Sequence, residues 1–215
     1  MTDFAELVLR HTRLQRPPAV PELRLHLADD VTSAWEEVER ELAAGALPPP
    51  FWAFAWVGGQ ALARHVLDTP EEVGGLRVLD LCAGSGLVAL AARLAGAGAV
   101  QAVDVDPVAG AAVAANAAAN GLAVGFRCAD LTQGPPPDVD VLLAGDVCYD
   151  REMTDRVVPW LRRAAAVGVR VLLGDPGRHY LPRTGLAVVG EHDIPTSRDL
   201  EGVVVKRARV YALVP

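Results

Sequence analysis

Apolar residues follow two different spacings along the chain, and the change between them predicts its elements. From residue 76 onward, runs of consecutive apolar residues alternate with stretches of helical spacing. Such short runs are typical of strands buried on both faces of a parallel sheet. Predicted strands cover residues 76–82, 99–106, 123–128, 139–147, 169–175, 185–195 and 201–214, and predicted helices cover 60–68, 86–98, 107–121 and 151–168.

This alternation of strands and helices predicts the fold class. A strand, turn and helix in regular succession form a parallel, doubly wound sheet that binds ligands at the carboxyl ends of its strands. The last two predicted strands have no crossover helix between them, so they should form an antiparallel hairpin at one edge. We therefore predict an α/β protein with a doubly wound, seven-stranded, mostly parallel sheet and a C-terminal antiparallel hairpin.

The first part of the chain has a different pattern, and we predict a helical N-terminal extension there. Residues 3–16 have helical spacing, residues 23–28 alternate like a short strand, and residues 30–45 read as an acid-rich amphipathic helix. Three prolines at 48–50 then force an extended segment. The predicted division is an extension over 1–47 and a ligand-binding domain over 48–215.

Charge and cysteine content narrow the function. The chain carries 27 acidic and 20 basic residues, a formal net charge of −7, which argues against a nucleic-acid partner. The three cysteines lack the spacing of a disulfide framework or a metal site, so no metal and a reducing cytoplasm are expected. No signal peptide or membrane span is predicted, so a soluble protein is expected, and the oligomeric state stays open.

A glycine-rich turn follows the first strand of the predicted sheet. Gly84, Ser85 and Gly86 begin a G-x-G-x-x-[GA] pattern between a strand and a helix, and Asp104 ends the next strand. Glycine lets a ligand approach the backbone closely, and a carboxylate at that strand end can bind both hydroxyls of a ribose. The pattern fits any ligand that contains adenosine, including NAD.

Asp80, just before this turn, discriminates between the candidate ligands. A carboxylate there would repel the pyrophosphate of a dinucleotide, whereas it would attract a cationic amino group and a sulfonium. S-adenosylmethionine has both cations and no phosphate, so we favour it as the cofactor. The alternative is that Asp80 only caps the helix after the turn.

Two more acids follow the third and fourth strands of the predicted sheet. Asp130 could accept a hydrogen bond from the adenine amino group, and Asp146 would lie beside the transferred methyl group. Four consecutive strands therefore end at acids. Tyr149 follows Asp146 in the stretch DVCYD; it is either part of the acceptor site or an aromatic residue packed at the core's edge.

The stretches VLDLCAGSG, VDVDP and CADL together resemble the motifs of class I, seven-strand S-adenosylmethionine-dependent methyltransferases. This resemblance covers roughly residues 50–215 and implies a Rossmann-like methyltransferase fold. The D-x-x-[YF] pattern of DVCYD is similar to that of the lysine-directed enzymes of this fold.

An aromatic segment extends the resemblance. PPFWAFAWVGGQALAR, GDVCYD and GDPGR are similar to stretches of the electron transfer flavoprotein β-subunit lysine methyltransferases and their bacterial relatives. The resemblance implies methyl transfer to lysines of a folded protein, the β subunit of that flavoprotein being the substrate. It implies that Trp56, Gly58 and Gly59 lie in the donor site and that Asp146 and Tyr149 lie at the acceptor. From the residues alone, the aromatic segment either plugs the core or covers the donor and lines the acceptor slot.

Three other functions stay open at this stage. The acceptor could be a small amine or metabolite, which a narrow, enclosed slot would favour. An NAD-dependent oxidoreductase would have to tolerate Asp80, and no hydride-transfer constellation is visible in the sequence. A partner module that binds the donor without turnover is the third alternative, although the intact acids count against it.

Overall fold

The sheet of the protein contains seven strands, as the sequence predicts. The computed structural model describes residues 3–30 and 49–214. Its strands are β3 (Arg77–Leu81), β4 (Ala99–Asp104), β5 (Gly125–Cys128), β6 (Val141–Gly145), β7 (Arg170–Asp175), β8 (Leu186–Pro195) and β9 (Val205–Leu213). They lie in the order β5-β4-β3-β6-β7-β9-β8, with β3 to β7 parallel and β9 antiparallel to both of its neighbours. The predicted fold class, including the C-terminal hairpin, is confirmed.

Helices cover both faces of this sheet. The helices are α1 (Phe4–His11), α2 (Val57–Asp68), α3 (Leu87–Leu94), α4 (Pro107–Asn120), α5 (Arg151–Ala166) and α6 (Arg198–Glu201). Side chains that alternate along the strands pack against α2, α3 and α4 on one face of the sheet and against α5 on the other. Asp106 accepts a hydrogen bond from the Val108 N–H and caps α4, and left-handed Gly121 ends it. A side-chain cap and a left-handed glycine therefore define the two ends of this helix.

The N-terminal extension differs from its prediction. The predicted helix over 3–16 ends at His11, and Arg13–Gln15 form β1, which pairs antiparallel with β2 (Leu25–Leu27). Thr12 adopts an extended backbone at the helix end, and its hydroxyl donates to the Val8 carbonyl oxygen. Hydrogen-bonded pairing with β2, a later segment of the same chain, thus overrides the local helical spacing. The predicted helix over 30–45 lies almost wholly outside the described residues.

The extension packs on the main sheet through α4. Leu7 and Val8 of α1 share a buried cluster with Trp52 and with α4 residues such as Val108, while Leu25 joins the larger core. The boundary proposed at residue 47 falls in the undescribed stretch 31–48 and stays a prediction.

Two other boundaries differ from expectation. Helix α2 begins at Val57 and so includes the two glycines that were expected to precede it. A single helical turn, α6, lies between β8 and β9, where no helix was predicted. It is capped by the Ser197 hydroxyl and ends at left-handed Gly202, and four residues are too few for a hydrophobic period to reveal.

The first turn of α2 approaches the sheet very closely. A Cβ on Gly174 would lie 2.2 Å from the carbonyl oxygen of Gly58, and a Cβ on Gly145 would lie 2.8 Å from the Cα of Gly59. Real Cβ atoms do not approach other heavy atoms at such distances. Glycines at these positions therefore let the helix start rest on the carboxyl ends of β6 and β7.

We predict that Gly174→Ala destabilises the protein by about 1–3 kcal/mol or more, because the new methyl group would overlap backbone that cannot move aside. The measurement is the free energy of unfolding from urea denaturation. The control is Gly134→Ala, whose Cβ would have its nearest neighbour, the Leu131 oxygen, at 3.6 Å. Equal stability of the two variants would contradict the close approach.

Candidate active site

A cavity of about 430 Å³ opens at the carboxyl ends of the parallel strands. It lies at the point where the strand order reverses, between β3 and β6, which is where doubly wound sheets bind ligands. Its polar lining includes all four acids predicted at strand ends: Asp80, Asp104, Asp130 and Asp146. The turns after four different strands therefore meet at this cavity.

Asp80 caps the helix that follows the glycine-rich turn and also lines the cavity. Its Oδ2 accepts a hydrogen bond of 2.9 Å from the N–H of Ala89 in the first turn of α3. The carboxyl group is almost completely buried. Burial, together with the nearby charge of Asp104, raises the pKa of Asp80 to about 8. A cationic ligand would reduce the free-energy cost of ionising this buried carboxyl group.

Asp104 ends β4 and organises the glycine-rich turn. Its Oδ2 accepts from the N–H of Gly84 at 2.9 Å, and its Oδ1 accepts from the N–H of Asp106 at 3.0 Å. Burial raises the pKa of Asp104, while these backbone hydrogen bonds lower it. The carboxylate is thus held in place at the cavity wall.

Asp130 is the exposed member of the four acids. Its Oδ1 accepts from the N–H of Thr132 at 2.9 Å and from the hydroxyl of the same residue at 2.6 Å. The threonine hydroxyl lowers the pKa of Asp130, so this carboxylate is ionised at neutral pH. It lies at the cavity's edge beyond β5.

Asp146 is buried and has three hydrogen-bond donors. Its Oδ2 accepts from the N–H of Gly59 at 2.9 Å, and its Oδ1 accepts from Nη2 and Nε of Arg178 at 2.9 and 3.2 Å. Its φ of 55° is rare outside glycine, although aspartate tolerates it better than most residues. Burial raises the pKa of Asp146 to about 6, and Arg178 opposes this rise.

The predicted glycines divide into two groups. Gly59, Gly84 and Ser85 line the cavity, whereas Gly58 and Gly86 do not belong to its lining. Gly58 packs behind Asp146, where a Cβ would meet the carboxylate at 2.6 Å. Gly86 has a φ of 77° and packs against Val113 of α4. These two glycines allow close packing rather than contact with the cavity.

The aromatic segment packs in the core and also lines the cavity. Trp52 is 1% exposed and packs in the core with α1 and α4, although it also reaches the cavity wall. Phe51 and Trp56 line the cavity with their rings edge to face at 5.8 Å, and the Trp56 indole donates to the Phe51 carbonyl oxygen. The Tyr149 ring lies 5.5 Å from that of Phe51 and is 44% exposed.

The guanidinium of Arg178 pairs with two carboxylates. It joins Asp146 to Glu201 of α6. The nearby Asp175 accepts through Oδ1 from the N–H groups of Gly177 and Arg178. Sequence reasoning missed Glu201, because no local pattern shows that the β8–β9 connection returns to the cavity.

S-adenosylmethionine fits the chemistry of this lining. Five aspartates and two arginines line the cavity, and one of those arginines is already paired with two carboxylates. The volume lies in the range of about 300–1,000 Å³ that small ligands need. A ligand with an ammonium and a sulfonium matches the excess of acid, whereas a pyrophosphate would not. Within residues 3–30 and 49–214 no group of three potential metal ligands occurs, and no helix is long and apolar enough to cross a membrane.

Comparison with known proteins agrees with this interpretation. The family model of the ribosomal protein L11 methyltransferases matches residues 61–147. The solved structure of magnesium protoporphyrin IX methyltransferase from Synechocystis, which has S-adenosylmethionine bound, shares the fold with a TM-score of 0.51. It is 16% identical, and the match covers 85% of this chain and 92% of that one. The fold and cavity define a class I S-adenosylmethionine-dependent methyltransferase.

Curated relatives give the family. The electron transfer flavoprotein β-subunit lysine methyltransferase of Xenopus laevis is 40% identical, over 80% of this chain and 69% of the relative. The Danio rerio protein of the same name is 38% identical, over 82% of this chain and 68% of the relative. The chain belongs to the family of electron transfer flavoprotein β-subunit lysine methyltransferases.

We predict that donor binding releases a proton from Asp80. At pH 7 a carboxyl group with a pKa of about 8 is mostly protonated, and a bound cation lowers that pKa. Affinity for S-adenosylmethionine should therefore rise with pH between about 5.5 and 6.5, by less than tenfold per unit, a range in which the ligand's own amino group, with a pKa of about 7.7–8.0, stays protonated.

Calorimetry in buffers of different ionisation enthalpy counts the released protons. Asp80→Asn should bind the donor more weakly and release fewer protons, while the control Asp138→Asn, which changes an exposed carboxylate paired with Arg77, should match the wild type. Equal proton release by Asp80→Asn and the wild type would contradict the role of Asp80.

Proposed function

We propose that this enzyme transfers methyl groups from S-adenosylmethionine to lysine side chains of the electron transfer flavoprotein β subunit. The observation that carries the proposal is that Asp80, Asp104, Asp146 and Tyr149 line one cavity. We assign the first two residues to its donor end and the last two to its acceptor end. The names of the relatives at 38–40% identity support the lysine acceptor. They disfavour a small amine or metabolite.

The acids at the donor end divide the cofactor between them. Asp80 faces its cationic amino group and sulfonium, Asp104 takes the ribose hydroxyls, and Asp130 accepts from the adenine amino group. The backbone of Gly84 and Ser85 lies close to the bound molecule. Gly86 supports this turn from behind, where it packs against α4.

We place Trp56 and Gly59, which also line the cavity, in the donor site, and Gly58 lets the first turn of α2 pack closely behind Asp146. When bound, S-adenosylmethionine supplies a methyl group: the lone pair of the neutral lysine nitrogen forms the N–C bond while the C–S bond breaks and its electron pair stays on sulfur.

The acceptor lysine must first release a proton to bulk water, so that its nitrogen has a free lone pair. With a pKa of about 10.4, roughly 1 lysine in 2,500 is neutral at pH 7. Asp146 binds and orients the ammonium, and its hydrogen bonds to Gly59 and Arg178 hold it in one position. Phe51, Trp56 and Tyr149 exclude water from the lysine side chain, which favours the neutral amine.

We place the enzyme in the cytoplasm, with a protein rather than a nucleic acid or a membrane as its partner. The positions of Cys82, Cys128 and Cys148 in the sequence do not form the spacing of a disulfide framework, which favours a reducing compartment. The net charge of −7 suits a lysine-bearing surface better than a phosphate backbone.

The test uses methyl-labelled S-adenosylmethionine, purified β subunit and a lysate of the source organism. The wild type should place label on lysines of the β subunit, and Asp146→Asn should lower the initial rate on the order of 100-fold because the amine loses its orienting carboxylate. Donor binding by the variant, measured by calorimetry, should persist.

The matched control is Asp193→Asn, which removes an exposed carboxylate on β8 and should leave the rate unchanged. Label found only in small molecules would overturn the lysine assignment. Label on no molecule, despite measurable donor binding, would overturn methyl transfer to either acceptor class.

A further inference from the structure

Arg178 is shared between two buried carboxylates that belong to different parts of the fold. Its Nη2 lies 2.9 Å from Oδ1 of Asp146, at the end of β6, and 2.6 Å from Oε1 of Glu201, in α6. The two acid side chains are 8% and 3% exposed, and the arginine side chain is 23% exposed. An ion pair this deep is not a solvated surface contact.

The two carboxylates use the guanidinium differently. Glu201 takes the outer edge with both oxygens, through Nη1 at 3.2 Å and Nη2 at 2.6 Å. Asp146 receives Nε and Nη2 on a single oxygen, Oδ1. The two-oxygen pairing with Glu201 therefore keeps the fork away from Oδ2 of Asp146.

This arrangement leaves Asp146 one acceptor position. A carboxylate offers about four lone-pair positions. Arg178 occupies two on Oδ1, and the N–H of Gly59 occupies one on Oδ2. The position that remains is on Oδ2, and Asp146 lines the cavity. One N–H of an ammonium can occupy it.

The charges of the three side chains match the same ligand. Two carboxylates and one guanidinium sum to a single negative charge, which one ammonium neutralises. The other titratable groups near Asp146 are Asp175, at the end of β7, and the buried thiol of Cys148. Asp175 adds negative charge when it is ionised, which also favours a cation here, so the positive charge beside Asp146 comes from Arg178.

We infer that Glu201 is a positioning residue of the acceptor site: it holds the outer edge of Arg178, so that Asp146 keeps one free acceptor position for the substrate amine. This inference rests on the proposed function, which places the amine at Asp146. The inference assigns a functional role to α6, the four-residue helical turn that carries Glu201. Leu200, its neighbour, packs on the cluster that contains Phe54, which fixes the turn beside the site.

The first experiment follows the Asp146 carboxyl carbon by NMR in protein labelled at the aspartate side-chain carboxyl, with Asp146→Asn for assignment. Glu201→Gln removes a nearby negative charge and lets Arg178 turn fully onto Asp146. Both changes stabilise the ionised form of Asp146, so the pKa of Asp146 should fall, on the order of half a pH unit. Arg178→Gln should raise it.

The direction of the pKa shift of Asp146 distinguishes a positioning role of Glu201 from a role in stabilising α6 alone. If Glu201 only stabilised α6, its loss would free Arg178, and the pKa of Asp146 would rise or stay constant. Either result would overturn the inference. The control Glu191→Gln makes the same chemical change in the same hairpin, at an exposed pair with Arg209, and should leave the titration unchanged.

The second experiment measures methylation of the β subunit as a function of substrate concentration and pH. Glu201→Gln should raise KM about tenfold, because the amine loses its hydrogen-bond position, with a smaller change in kcat. The acid limb of the rate profile should move to lower pH. An unchanged KM would contradict the inference. If the wild type does not methylate the β subunit, the proposed function fails, and the NMR titration still decides the role of Glu201.

Discussion

The first turn of α2 rests on the carboxyl ends of β6 and β7, and the candidate site depends on this close approach. With glycines at 58 and 174, backbone meets backbone where a single methyl group would overlap it. The N–H of Gly59 thereby reaches the carboxylate of Asp146. The same turn begins just after Trp56, so the aromatic wall and the carboxylate are positioned together.

The second constraint is electrostatic. The carboxyl groups of Asp80, Asp104 and Asp146 are shielded from solvent at one edge of the sheet, and this burial raises the pKa of each. Backbone N–H groups partly compensate, and of these three carboxylates Asp146 is the one that is paired with a guanidinium, which it shares with Glu201. An enzyme whose cofactor and acceptor both carry positive charge makes use of this arrangement, since each bound cation relieves part of the cost.

Much of the fold was predictable from the sequence because apolar runs, N-caps and glycine stops are local signals. Asp106, which caps the start of α4, and Gly121, which ends it, are signals of this kind. The signal failed where pairing between distant segments decided the outcome: Arg13–Gln15 form a strand because β2 lies beside them. The strand-end acids were found for the same local reason. Glu201 was missed, because its partner Arg178 lies 23 residues away and only the hairpin brings them together.

A crystal structure with S-adenosylhomocysteine bound would show directly whether the cavity has a donor end and an acceptor end. We predict that the ribose hydroxyls lie within hydrogen-bond distance of Asp104, that the amino group lies on the side of Asp80, and that the sulfur faces Asp146 and Tyr149. A ligand whose sulfur points away from Asp146, or whose ribose lies far from Asp104, would contradict it.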